Sequence, residues 1–411
     1  MSDSAGIPGG AGAGGRAPRR PRGPREPRGR RRRLLRRLGL GVVLLLLAGA
    51  GTGWWLYNKL DGNITADAAA AAELERYERE RPAHAVSGAE NILVIGSDSR
   101  AGRANGRYGR DEDSQRSDTV ILLHLSADRG SATAVSIPRD LMTDIPSCRT
   151  PDGSRTTEQF AQFNWAFEWG GAACTIRTVE KLSGIRVDHH MVVDFGGFTR
   201  MVDAVGGVEV CLKQPVNDAE ARLRLPAGRQ TLRGEQALGF VRARHSLGDG
   251  SDTERIARQQ EFLGSLVKKV QSDGVLLNPT RLYPLLDAAT SSLTTDPGLA
   301  SLRDLYNLVR DIRDVPTGQV RFLTVPRQPY EADPNRDELV EPDAALLFDR
   351  LRMDRPVRVV PPKPQDQAAQ GAEGGRGNRP AAGAGTPGGG RAGPTPAPAF
   401  TGTTAGRADC R

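Results

Sequence analysis

The chain is poor in the residues that most often announce chemistry. Its 411 residues include five histidines and four cysteines, Cys148, Cys174, Cys211 and Cys410. No CxxC and no Cys/His spacing links them, which argues against zinc. His124, His189, His190 and His245 stand at no mutual spacing that suggests a metal or a catalytic pair. Lysine is nearly absent, with 6 against 51 arginines. This bias runs through the whole chain, so no single arginine is informative alone. No internal repeat and no helix-turn-helix pattern is present.

The net charge of +8 is concentrated in one place. Residues 1–37 hold twelve arginines against Asp3 and Glu26, so everything after residue 37 sums to about −2. A nucleic-acid binder carries its basic patch on a folded domain. Here the charge lies on a Gly/Pro/Arg tail without aromatics, and no nucleic-acid partner is expected. The neighbouring segment explains the tail. Leu38–Tyr57 (LGLGVVLLLLAGAGTGWWLY) is twenty residues without a charge, about the length that spans a bilayer. Arginines flank one end, and Trp54, Trp55 and Tyr57 mark the other like an interfacial belt. A cleaved signal peptide, with Leu40–Leu47 as its apolar core and Ala48-Gly49-Ala50 as its cleavage site, is the competing reading. Under both, the positive-inside rule leaves Arg16–Arg37 in the cytoplasm and sends residues after about 60 outside. In an oxidising compartment Cys148 and Cys174, which bracket one loop-plus-helix segment, make the expected disulfide. Cys410 is expected to stay unpaired.

Composition then divides the chain into an Arg-rich disordered tail (1–37), a transmembrane helix (38–57) and a polar stalk (58–87) with a helix over Ala66–Arg81. A folded domain (88–355) and a disordered Pro/Gly/Ala-rich tail (356–411) complete it. Three apolar strands open the domain, Asn91–Gly96, Thr119–Leu125 and Ala132–Ile137. The turn-like Ser126–Gly130 makes the last two an antiparallel hairpin. If the first strand is also antiparallel to the second, three strand ends share one sheet edge. Asp98 with Arg100, Asp118, and Arg139 with Asp140 then converge. Each residue alone reads as a turn former, a cap or a surface ion pair; the convergence is the signal.

A second cluster lies in VRARHSLGDGSDTERIARQQEFL (241–263). With a helix starting near Ser251, Asp252, Arg255 and Gln259 fall on one face, in line with Phe262 and Leu266. Arg242 and Arg244 project to one side of an extended segment before it. The stripe reads as a charged mouth opening onto an apolar interior. The segment Ser99–Ser117 reads as a loop over the site. Trp165, Phe167 and Trp169 read as core or pocket wall.

Seven blocks, NILVIGSDSR, RSDTVILLHL, VSIPRDLMTDIP, FNWAFEWGG, VVDFGGFTRMVDAVGGVEV, LRGEQALGFVRARH and SDTERIARQQEFL, stand in an order similar to that of the LytR-CpsA-Psr family, membrane-anchored enzymes that attach glycopolymers to peptidoglycan. The resemblance runs from about Asn91 to Val270. It implies an α/β/α sandwich around a mixed, largely antiparallel sheet, with an apolar pocket for a polyprenyl chain. It implies that Asp98 and Asp118 hold magnesium and that Arg100, Arg139, Arg242, Arg244, Arg255 and Gln259 bind a pyrophosphate. Asp252 orients the arginines.

The residue types suit that chemistry. Magnesium takes one or two carboxylates and completes its shell with water and phosphate oxygens. Arginine gives planar, permanently charged donors to phosphate. The implied catalytic set is Asp98, Arg100, Asp118, Arg139, Arg242 and Arg244. An acceptor hydroxyl on peptidoglycan would attack the sugar-side phosphorus of a polyprenyl-pyrophosphate-linked glycan, and polyprenyl phosphate would leave. The general base stays open between Asp98, Asp118 and Asp140. A non-catalytic lipid-glycan receptor or a membrane-bound regulator of transcription is the alternative. The two-Asp metal site favours the enzyme.

Overall fold

The computed structural model describes residues 28–97, 117–243, 252–272, 279–361 and 398–407. The chain divides into two compact units at Leu56/Tyr57. Helix α1 (Arg28–Asp61) includes Leu35–Asp61, a 27-residue candidate membrane span. Leu35, Leu38, Leu40 and Leu44 to Leu47 are exposed, a surface that water penalises and lipid accepts.

The second unit begins with β1 (Thr65–Ala66), α2 (Ala68–Arg76), β2 (Glu90–Ser97), β3 (Ser117–Leu125) and β4 (Ala132–Ile137). The hairpin β5 (Met142–Ile145) and β6 (Gln159–Gln162) leads into α3 (Trp165–Ser183), β7 (His189–Asp194) and α4 (Phe195–Ala204). Short strands follow, β8 (Val208–Leu212), β9 (Val216–Asp218), β10 (Leu223–Leu225) and β11 (Gly228–Leu232), then α5 (Gly234–Arg242) and α6 (Asp252–Ser272). Next come α7 (Pro279–Thr290), β12 (Leu293–Thr295), α8 (Leu302–Asp314) and β13 (Val320–Thr324). The hairpin β14 (Arg327–Tyr330) and β15 (Asp333–Leu339), α9 (Asp343–Arg352), β16 (Arg358–Val360) and β17 (Ala399–Thr404) complete it.

Nine strands form one sheet in the order β1-β12-β7-β2-β3-β4-β13-β17-β16. The sheet is mixed, but not largely antiparallel. The β1–β12, β7–β2, β4–β13 and β16–β17 junctions are parallel, and the other four are antiparallel. The early strands alternate between two buried faces. Leu93, Ile95, Leu122 and Val135 pack with Leu74 of α2, Ile176 of α3 and Leu347 of α9. Ile92, Ile121 and Ala134 pack on the other face with Leu305 and Leu308 of α8, and with Leu263 of α6. Helices on both faces explain why these strands read as continuous apolar runs. The result is an α/β/α sandwich. A further apolar cluster gathers α4, α5, α6 and the β8–β11 pairs around Phe262.

Two expected boundaries move. Residues 58–87 are not a separate stalk, since Leu60, Ala70 and Leu74 are buried and β1 pairs with β12. The helix there is shorter, Ala68–Arg76, begun by Asp67 accepting from the Ala70 N–H. Nor is 356–411 all disordered tail. β17 lies between β13 and β16, antiparallel to one and parallel to the other. Phe400 and Ala405 are buried in the two layers. A Cβ at Gly402 would stand 2.3 Å from the Phe322 carbonyl oxygen, so only glycine allows that approach.

Cys148 and Cys174 are joined by a disulfide, Cα atoms 5.5 Å apart. At Gly170 α3 leaves helical geometry (φ −142°, ψ 21°). A Cβ there would come within 2.7 Å of Cys174 Cβ, so the glycine makes room for the bridge. Cys211 is also disulfide-bonded; Cys410 lies outside the described residues.

Where β7 begins, His189 Nδ1 lies 3.1 Å from Asp296 Oδ1, and Asp296 Oδ2 accepts from the His190 N–H at 3.0 Å. The bond to Asp296 raises the His189 pKa above its ordinary 6.5, against the opposing effect of burial. A raised folded pKa adds stability that is complete below 6.5 and is lost as pH rises through the folded value. His189→Gln therefore lowers Tm most in mildly acidic buffer. The gap to wild type closes as a thermal-melt series moves to alkaline pH; a gap that widens instead contradicts the pairing.

Candidate active site

The expected strand edge forms. β2 and β4 both run antiparallel to β3, and β7 runs parallel to β2 with Asp194 opposite Ser97. The ends of β7, β2 and β4 and the start of β3 therefore share one edge. Three strand spacings of about 4.8 Å make it roughly 14 Å across. Gly96 pairs with Thr119 and Ser97 with Ser117, which makes Asp118 the extra residue of a β-bulge. Bulges commonly redirect side chains beside active sites. The Asp118 side chain, like all of Asp98 and Arg100, lies outside the described residues.

Arg139 follows the end of β4. Its Nε is 3.1 Å from Asp140 Oδ2, and Asp140 Oδ1 accepts from Gln162 Nε2 at 3.0 Å. Arg336 of β15 reaches the same oxygen at 3.7 Å, while the Asp337 N–H donates to the Asp140 carbonyl at 3.1 Å. The Arg139 carbonyl accepts from the Asn164 N–H at 3.0 Å. Asp140 is thus a fixed carboxylate that orients Arg139, with three segments holding the pair. Gln162, Asn164 and Arg336 were not among the sequence candidates, because β6 and the β14–β15 hairpin carry little apolar alternation.

At the opposite end of the edge, Asp194 caps α4 by accepting from the Gly197 N–H at 2.6 Å. The guanidinium of Arg242 lies 4.6 Å from the centre of the Phe195 ring that follows. This places Arg242 beside the ends of β7 and β2. It does so as the last residue of helix α5, not from an extended segment. The spacing of Ala237, Leu238 and Phe240, all buried, makes 234–242 an amphipathic helix of about two and a half turns that packs on the Phe262 cluster.

Helix α6 begins at Asp252, whose side chain lies outside the described residues, as does Arg244. Arg255 is 5% exposed, which excludes a solvated face. Gln259 Nε2 donates to the Val241 carbonyl at 3.1 Å, and Arg258 bonds the Ala243 carbonyl. Gln260 Nε2 donates to Ser136 Oγ at 3.1 Å and to Thr324 Oγ1 at 3.0 Å. Gln259 therefore fixes the segment that carries Arg242, while Gln260 moors the helix to β4 and β13 next to Arg139. The apolar interior expected below this mouth is filled. Phe262 is wholly buried, its ring 5.6 Å from Phe198 and 6.3 Å from Phe240.

One buried oxygen at this edge has no partner. Ser117 is 1% exposed, and its Oγ makes no hydrogen bond, next to the bulged Asp118. Among the described residues no group of three His, Cys, Asp or Glu side chains could hold a metal ion.

A family model describing the LytR_cpsA_psr family matches residues 60–349. The chain belongs to the LytR-CpsA-Psr family. It is 34% identical over 313 residues to "Cell wall biosynthesis protein LcpA" of Corynebacterium glutamicum, covering 69% of this chain and 58% of that protein. The chain thus spans little more than half the length of this relative. It is 28% identical over 282 residues to a "Polyisoprenyl-teichoic acid--peptidoglycan teichoic acid transferase TagU" of Halalkalibacterium halodurans, covering 68% of this chain and 85% of that one. A "LytR-Csp2A-Psr enzyme from Actinomyces oris" shares the fold, with a TM-score of 0.52 and 22% identity over 66% of this chain and 93% of that one. Within the family fold, β16 and β17 widen this chain's sheet beyond the matched residues 60–349.

Proposed function

We propose that this chain is a membrane-anchored phosphotransferase that moves a glycopolymer from a polyprenyl-pyrophosphate carrier to peptidoglycan and releases polyprenyl phosphate. The observation that supports it best is the convergence on one sheet edge of Arg139, held by Asp140, and Arg242, stacked on Phe195. The Asp118 bulge lies between them. Arg139 and Arg242, with Arg100, Arg244 and Arg255, bind the pyrophosphate and neutralise the charge that grows on the departing phosphate. The attacking acceptor hydroxyl gives up its proton on the side of Asp140, a carboxylate already oriented by Gln162 and Arg139. The polyprenyl chain enters between α4, α5 and α6, displacing contacts within the Phe262 cluster; apolar burial draws it in.

Hard oxygen donors suit a magnesium ion at this edge. Asp98 and Asp118 would hold it, with the partnerless Ser117 Oγ beside them and donor phosphate oxygens completing the shell. When bound, it supplies Lewis-acid polarisation of the phosphoryl group. The topology follows from charge and disulfides. Arg16–Arg37 stay in the cytoplasm, and the Cys148–Cys174 bridge belongs to an oxidising exterior.

The test uses the full chain in nanodiscs with a polyprenyl-pyrophosphate-linked glycan and peptidoglycan fragments. Polyprenyl phosphate should appear with glycan-bearing acceptor, stop with chelator and resume with magnesium. Tight donor binding with no product under any metal condition would replace this reading with a lipid-glycan receptor.

A further inference from the structure

The Arg139–Asp140 pair has a second flank, on the α3 side of the sheet. Along β6 the Ala161 side chain is buried, so by strand alternation Phe160 and Gln162 share the other face. Gln162 holds Asp140 at 3.0 Å; Phe160, two residues earlier, is 52% exposed. The ring of Tyr330 from β14 stands 6.0 Å from Phe160, tilted by 57°. Two residues beyond Gln162 comes Asn164, whose N–H donates to the Arg139 carbonyl, and then Trp165, 38% exposed. Trp165 lies 5.5 Å from Trp169. Among the described residues after Tyr57, the exposed aromatics are Phe160, Trp165 and Tyr306. Two of the three therefore lie in the short segment 160–165 that bonds Arg139 and Asp140.

A second observation points to a ligand. Asn164 is 7% exposed, and its Oδ1 makes no hydrogen bond. A buried amide oxygen left unmatched costs about 1–3 kcal/mol, and a hydroxyl or acetamido N–H arriving beside Trp165 would satisfy it.

We propose that Phe160, Tyr330, Trp165 and Trp169, with Asn164 and Gln162, form the subsite for the pyranose rings of the acceptor glycan. The assignment rests on the transferase reading above. The aromatic faces are electron-rich and meet the weakly positive C–H faces of sugar rings, while the two carboxamides match hydroxyl and acetamido groups. The occupant follows from the chemistry that each substrate offers. The donor brings a pyrophosphate and a lipid, which arginines and the Phe262 cluster recognise. A neutral acceptor backbone gains nothing from arginines, so rings and amides must hold it. The subsite adjoins Arg139, where the acceptor hydroxyl has to meet phosphorus.

The chain has four tryptophans, two of them, Trp54 and Trp55, in the apolar helix. In a full-length Trp54→Phe/Trp55→Phe background the emission therefore comes from Trp165 and Trp169 alone. Titration with the tetramer of N-acetylglucosamine should change it saturably. Phe160→Ala should weaken that binding about tenfold, the scale of one aromatic contact, and Phe160→Tyr should restore it. In the transfer assay Phe160→Ala should raise the acceptor KM about tenfold, leaving the donor KM and kcat unchanged. An emission that does not respond to the tetramer, or a rise in the donor KM instead of the acceptor KM, overturns the assignment. Tetramer binding in a chain that performs no transfer would leave the subsite standing and remove the reaction.

Discussion

Arg242→Ala lowers the rate of glycan transfer by about 10²–10³-fold, the usual effect of removing one donor that stabilises developing charge, and scarcely changes the melting temperature. The side chain is exposed at the last position of α5, and its described contact is the Phe195 ring at 4.6 Å. An exposed cation–π contact contributes about 0.5–1 kcal/mol, so a melt of the variant shifts by no more than a few degrees. Arg242→Lys recovers little activity, because an ammonium lacks the planar fork that meets two phosphate oxygens at once. Arg244→Ala behaves alike. Arg255→Ala is the contrasting case, since a 5% exposed guanidinium is part of the packing and its loss costs stability as well as rate. A product assay and a thermal melt on the three variants separate these outcomes. Full activity in Arg242→Ala would detach the sheet edge from the reaction.

Phe400→Ala destabilises the folded unit by about 3–5 kcal/mol, the range for a buried aromatic truncated in a core. The residue is 6% exposed, in the layer that holds Leu347 and Phe348 of α9, and on a strand that pairs with both β13 and β16. Urea unfolding reads the effect as a lower midpoint at unchanged slope. A cost below about 0.5 kcal/mol, typical of a surface site, would mean that β17 contributes nothing to the sheet.

That second expectation concerns a segment whose sequence argues for disorder. In Ala399–Thr404 a six-residue alternation of Phe400 and Gly402 follows a long Pro/Gly/Ala stretch. Its stability comes from the partner strands, which leave no mark in the local sequence. The same limit hid the β14–β15 hairpin, where Arg336 reaches Asp140 from a run of charged residues. It also hid the core role of Ala70 and Leu74, spaced among alanines and glutamates. β2, β3 and β4 were legible because burial on both faces demands unbroken apolar runs, and their pairing followed from one short turn. Arg139, Arg242 and Arg255 stand out in the sequence as candidates, but Arg242 lies on a helix and not on an extended segment. Its helix is stabilised by Phe240 and Ala237 packing on Phe262 from 22 residues away, a contact that periodicity in the 241–263 window does not contain.

The position of β17 has a consequence for how the molecule comes into being. A ribosome makes β13 and β16 before the strand that belongs between them, which is the last strand among the described residues. Until Thr404 has emerged, β13 offers an open row of backbone donors and acceptors, a template on which a second nascent chain could pair. Closure of the sheet thus waits for a strand made after β16, well behind the lipid-seeking helix α1. Lengthening the segment between Val360 and Ala399 delays that closure only weakly, since loop entropy grows with the logarithm of length. A stop codon anywhere within it, by contrast, leaves a protein with every candidate catalytic residue and a permanently unfinished sheet.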